Sequence, residues 1–219
     1  MNKDTYYEIL SHLSIDDIKA FCSISIDNQT ICNHSSFWIN LFKRDNIILF
    51  NKGLTYHEWI NQYRKSLKAS QMADHLVYLL IKEAGHSIVN RFSDAFISLT
   101  NNILPLLPNK VIEKYGMALE NLQLIITTQW VNQTFKFYIS LGKYKTLDRV
   151  ELSQEELLHL FTNIFYYYPD TIIIDDRGHP YIIHFNQDID TYISRYELNP
   201  NFYRKKLTDR KFYWANKNI

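Results

Sequence analysis

The chain has 219 residues, 46% hydrophobic content and 24 Lys plus Arg against 23 Asp plus Glu, proportions that leave room for one or two globular domains with a sizeable core. A formal net charge of +1 provides no chain-wide basic field for phosphates, which argues against a nucleic-acid binder working by counterion release. The longest apolar runs, 77–81 with Tyr78 inside it and Ile172 to Ile174, fall far short of the roughly 20 residues that span a bilayer, so no membrane partner is expected.

The N-terminus carries Asp4 and Glu8 where a secretory leader would have a basic region and then an apolar run, and the expectation is an intracellular, cytoplasmic protein. Cys22 and Cys32 are the only cysteines; in a reducing compartment they read as small buried hydrophobes and not as a disulfide. The composition, with 27 Ile, 19 Asn, 16 Lys and 16 Tyr against 7 Ala and 8 Arg, favours residues with AT-rich codons. Five Gly and five Pro force few breaks, so element ends are read from capping residues and polar clusters.

Tyr6, Tyr7, Ile9, Leu10 and Leu13 recur at helical spacing behind Asp4 and predict a first helix over 4–13. Ser14 or Asp16 is placed to cap a second, carrying Ile18, Phe21 and Cys22 and broken at Asp27-Asn28. Ile31, Phe37, Trp38, Leu41 and Phe42 form a third apolar set, with Ser35 or Ser36 starting its helix. The expectation is a three-helix module over 1–48.

Thr55-Tyr56-His57-Glu58 matches a capping box, and Trp59, Ile60, Tyr63 and Leu67 follow as a buried stripe. Met72, Leu76, Leu79 and Leu80, then Ile88, Phe92, Phe96 and Leu99, predict two further helices divided near Gly85. Residues 49–105 thus read as a helical linker region, closed by the polar, proline-bearing stretch 100–108.

Beyond it the period changes. Leu122 to Thr128 and Thr134 to Leu141 are rich in β-branched and aromatic residues and predict a hairpin across Asn132-Gln133. Ser153-Gln154-Glu155-Glu156 is a second capping box, launching a helix with Leu157, Leu160, Phe161, Ile164 and Phe165 on one face before Pro169. Thr171 to Ile174 and Tyr181 to Phe185 read as strands flanking the turn Asp175-Asp176-Arg177-Gly178, and Asp190 to Leu198 as a further strand. Residues 106–219 are therefore expected to form an α+β domain, and the whole chain an α+β fold.

The P-loop, GxGxxG, GxSxG and HExxH patterns do not occur in the chain. Asp175, Asp176, His179, His184, Asp188 and Asp190 lie close enough in sequence to hold Mg²⁺ or Mn²⁺ for phosphoryl chemistry. The same Asp-Asp-Arg-Gly is what a hairpin loop requires, and the turn is the preferred reading. Neither cysteine carries a local nucleophile signature. Arg204, Lys205, Lys206, Arg210 and Lys211 among Phe202, Tyr203, Phe212, Tyr213 and Trp214 have the make-up of a base-stacking tail, although such short runs usually serve as solvated surface. No enzyme activity, catalytic residue, cofactor or metal is expected.

The N-terminal 45 or so residues resemble an F-box. Glu8-Ile9-Leu10-Ser11-His12-Leu13 resembles the end of that family's first helix, Ser14-Ile15-Asp16-Asp17-Ile18 its turn and second helix start, and Ser36-Phe37-Trp38 its tryptophan step. Met1-Asn2 stands where the family opens with Leu-Pro, and Ile24-Ser25-Ile26 where it has Val-Cys-x-x-Trp. The continuation Ile39 to Asp45 looks like the extension found in F-box-like proteins of large DNA viruses, in keeping with the codon preference. The resemblance implies an adaptor that docks on a Skp-type subunit of a cullin-RING ubiquitin ligase and so joins the cullin scaffold, with the rest of the chain recruiting an unknown protein substrate. It implies partner-binding roles for Ile9, Leu10, Leu13, Ile15, Ile18, Phe21 and Trp38, as apolar anchors of a helical surface. The alternative is a viral structural or assembly protein that uses the module only for protein-protein contacts.

Overall fold

The computed structural model describes residues 9–10, 12–86, 92–98, 104–115, 123–131, 134–141, 149–169 and 173–174. They form an α+β fold with helices α1 (Ile15–Ile24), α2 (Ile26–Cys32), α3 (Ser35–Arg44), α4 (Tyr56–His86), α5 (Asn109–Tyr115) and α6 (Gln154–Tyr167). The strands are β1 (Phe92–Ser98), β2 (Gln123–Val131), β3 (Thr134–Leu141), β4 (Val150–Leu152) and β5 (Ile173–Ile174). The chain divides into two compact units, with the boundary inside α4 between Lys68 and Ala69.

In the first unit, Ser14 makes the N-cap of α1, its Oγ accepting from the Asp17 amide at 3.2 Å and donating to the Asp17 carboxylate at 2.6 Å. The expected break at Asp27-Asn28 lies two residues earlier. Ser25 ends α1 and caps α2, accepting from the Asn28 amide at 3.1 Å, while the Asn28 side chain donates to the Phe21 carbonyl at 2.9 Å. Asp27 and Asn28 are thereby first-turn residues of a separate helix, as their short polar side chains favour.

The end of α3 is a Schellman motif. Asn46 takes φ 57°, its amide bonds the Lys43 carbonyl at 3.2 Å and the Ile47 amide bonds the Phe42 carbonyl at 2.9 Å. Asparagine is the residue besides glycine that accepts this left-handed position readily, and the accompanying apolar contact is supplied by Ile47 and Phe42, both buried in one core.

At the start of α4 the Glu58 amide donates to Thr55 Oγ1 at 3.3 Å, as the capping box predicts, but the Glu58 carboxylate accepts from the Leu54 amide at 2.8 Å and not from Thr55's own. From there α4 runs unbroken for 31 residues, with no division before its end at His86.

The second unit holds a five-stranded antiparallel sheet in the order β4-β3-β2-β1-β5. The expected hairpin is its centre, with Ile126 opposite Ile139 and Thr128 opposite Phe137. Val150 and Leu152 of β4 extend the same face beside Ile139 and Phe137, and α6 lies against β3 and β4. The predicted stripe Leu157, Leu160, Phe161, Ile164 and Phe165 is buried throughout.

Two elements differ from expectation. The segment read as helix around Phe92 and Phe96 is strand β1, paired along its whole length with β2 from Phe92 opposite Gln129 to Ser98 opposite Gln123. Residues 49–105 are therefore not uniformly helical. A 3-10 turn, Leu104–Leu106, lies in the 100–108 stretch, and α5 follows directly after it. Tyr181 to Phe185, Asp190 to Leu198 and the cluster from Asp175 to Asp190 lie outside the described residues.

The capping box of α6 is complete: Ser153 Oγ accepts from the Glu156 amide at 3.1 Å, and Glu156 Oε2 accepts from the Ser153 amide at 2.7 Å. The same carboxylate pairs with Lys110 of α5 at 2.8 Å. Burial works against the charged form of Glu156, but Lys110 and Ser153 outweigh it and hold its pKa below the usual carboxylate value. Ser153→Ala is expected to destabilise α6 by about 1 kcal/mol, read as faster hydrogen exchange in the amides of its first turn with the sheet amides unchanged.

Candidate partner-docking module

The first unit has one apolar core, built from Leu10, Ile18, Cys22, Cys32, Phe37, Trp38, Leu41, Phe42, Ile47, Tyr56, Trp59, Ile60 and Tyr63. The helical module therefore runs on through the first two turns of α4, past residue 48. Its periodicity explains the selection: Phe37, Trp38, Leu41 and Phe42 fall on one side of α3, and Tyr56, Trp59, Ile60 and Tyr63 on one side of α4.

The aromatic centre is ordered by ring geometry. Trp38 and Trp59 lie stacked, with centroids 6.0 Å apart and planes 2° from parallel, and Phe37 meets Trp38 edge-on at 5.1 Å. Trp38 Nε1 donates to the Cys32 carbonyl at 2.6 Å, which ties α3 to the end of α2.

Polar contacts close the module's rim. The Tyr56 amide donates to Asn33 Oδ1 at 2.7 Å. The Tyr63 hydroxyl donates to the Asp45 carboxylate, which Arg44 also grips in a fork at 2.7 and 2.5 Å. Burial, reinforced by the Asp45 contact, pushes the Tyr63 phenol well above its ordinary range, so it remains a hydrogen-bond donor at any physiological pH. An ion pair joins Arg64 to Asp16 on exposed surface, where such pairs contribute little.

Cys22 and Cys32 form a disulfide, with Cα atoms 5.9 Å apart. This corrects the expectation of two free, buried thiols. Both side chains are indeed buried, but the Ser25 elbow folds α2 back so that the two Cα atoms come within bridging range, a juxtaposition that needs the turn to be known.

The seven residues singled out from the sequence separate into three groups. Leu10, Ile18 and Trp38 are buried in the core. Leu13, Ile15 and Phe21 lie partly buried against that core. Ile9 is 49% exposed and available for contact. Three further apolar residues of this unit were missed: Ile24, Ile26 and Leu54 are 75%, 80% and 86% exposed. For Ile24 and Ile26 the signal was present as Ile24-Ser25-Ile26, in which a helix-capping serine stands between two large apolar residues.

Comparisons with protein-family models, with curated proteins and with solved structures each return no match to this chain. Among the described residues, no group of three or more His, Cys, Asp or Glu is arranged to hold a metal ion, and no helix is long and apolar enough to cross a membrane.

Proposed function

We propose that the protein is a non-enzymatic F-box-like adaptor, whose helical module docks on a Skp-type subunit of a cullin-RING ubiquitin ligase while the sheet-bearing unit recruits a protein substrate. The observation that carries this reading is the module itself. The described residues of the family-like pattern, between Ile9 and Trp38, fall within a helical unit that closes its own core and still leaves Ile9, Ile24 and Ile26 exposed to solvent. Large apolar side chains held outside a complete core add nothing to internal stability, and they are the kind of residue that gains from burial under a partner.

Burial also decides which variants test the idea. Ile18→Asp places a charge in a fully buried site and unfolds the module, so its failure to bind carries no information. The triple variant Ile9→Asp, Ile24→Asp, Ile26→Asp changes only exposed positions. It is expected to keep the wild-type melting temperature within a few degrees and to weaken capture of a purified Skp-type subunit by the full chain at least tenfold, the scale of a single hot-spot loss. A folded wild-type chain that captures no such subunit overturns the adaptor reading.

A further inference from the structure

Of the side chains in α2, Cys32 is the one that is fully buried. Ile31 lies partly against the core, and the Asn28 side chain donates to the Phe21 carbonyl of α1. A seven-residue helix is far below the length at which helices persist in water by themselves. The side chain that anchors α2 most deeply in the module is therefore the one bonded to Cys22 across a separation of 10 residues. The same cysteine's carbonyl receives Trp38 Nε1, so the bond also borders the aromatic centre.

We propose that the Cys22–Cys32 pair is a redox-sensitive staple that sets whether α2 is fixed to the module. The donor is a small disulfide of the glutathione class. The Cys22 thiolate attacks one donor sulfur and releases one donor thiol, leaving a mixed disulfide on Cys22. The Cys32 thiolate then attacks the Cys22 sulfur and releases the second donor thiol. Two electrons and two protons pass from the cysteine pair to the donor, and an excess of dithiol reverses both steps. Because both sulfurs are buried, exchange requires α2 to open, so each redox form persists long enough to be a state of the molecule. In the disulfide form the elbow carrying Ile24 and Ile26 is held at both of its helices; in the dithiol form α2 frays from it. This inference does not depend on what docks there.

The test uses the full chain, treated either with oxidised glutathione or with dithiothreitol. Thiols are counted after denaturation, and hydrogen exchange is followed in peptides covering 25–34, with 154–167 as the internal reference. Oxidised protein is expected to show no free thiol and reduced protein two. The 25–34 amides are expected to exchange roughly a hundredfold faster in the reduced form, on the scale of the constraint that a short disulfide loop supplies, while 154–167 is unchanged. The Cys22→Ala, Cys32→Ala variant is expected to exchange like the reduced form under both treatments. Two free thiols after oxidation, or equal exchange at 25–34 in fully oxidised and fully reduced protein, overturns the proposal.

Discussion

Trp38→Ala is expected to destabilise the helical unit by about 3 to 5 kcal/mol, the range found for deleting a large aromatic side chain from a closed core. Two losses coincide at this position. The indole is fully buried and stacked on Trp59, so its removal leaves a cavity bounded by rigid rings that have little freedom to collapse. The Cys32 carbonyl loses the donor at 2.6 Å, in a site where no solvent replaces it. Trp59 has little freedom to move into the gap, because the chain before α4 presses on it: a Cβ at Gly53 would lie 2.6 Å from the Trp59 backbone nitrogen and 2.9 Å from its Cγ. A loss of this size approaches the whole stability of a small domain. Urea unfolding followed by near-ultraviolet circular dichroism reads it directly, and Trp38→Phe, which keeps an aromatic ring in the site, should recover part of it. An unfolding free energy within about 1 kcal/mol of wild type would show that the stack is not the keystone of this core. The same burial explains why Trp38, read from sequence as a partner anchor, serves the interior.

The elements legible in the sequence are those specified by local chemistry. Thr55 and Ser153 announce their helices because a hydroxyl three residues ahead of an acid answers a purely local need for hydrogen-bond partners, and each starts its helix as read; of the two caps offered for the helix over 15–24, Ser14 is the one used. The hairpin of β2 and β3 was legible because alternation and an intervening polar pair are also local. What could not be read depends on distant partners. Phe92, Phe96 and Leu99 recur at helical spacing, yet β1 exists because β2, some thirty residues later, offers a full-length edge. The disulfide needed the Ser25 elbow, and the division of Ile9, Ile24 and Ile26 from Leu10, Ile18 and Trp38 needed the core. Apolar spacing says that a face is covered, not by what.

Lowering the pH from 7 to 5 is expected to weaken the sheet-bearing unit through His159. His159 lies on α6, and burial pushes its pKa down to about 4 from an ordinary value of 6.5. Asn163 Nδ2 lies 2.9 Å from His159 Nδ1 and donates to the His159 carbonyl at 3.0 Å. With the amide as donor, Nδ1 must present a lone pair, and protonation would set two donors face to face. Between pH 6.5 and about 4 the unfolded chain binds a proton here that the folded chain does not, so stability rises with pH across that window and is lost as pH falls through it. At about 1.4 kcal/mol per unit, the loss on reaching the lower end is on the order of 3 kcal/mol. Glu156 acts in the same direction at more acid pH, since its carboxylate is held below its usual pKa by Lys110 and Ser153; measurements between pH 7 and 5 therefore isolate the histidine. Hydrogen exchange of the α6 amides over that interval should show protection falling in the wild type and staying nearly constant in His159→Gln, whose uncharged amide can still accept from Asn163. Parallel slopes in the two proteins would mean that His159 gains its proton without disturbing α6, and that its burial is not what holds the ring neutral.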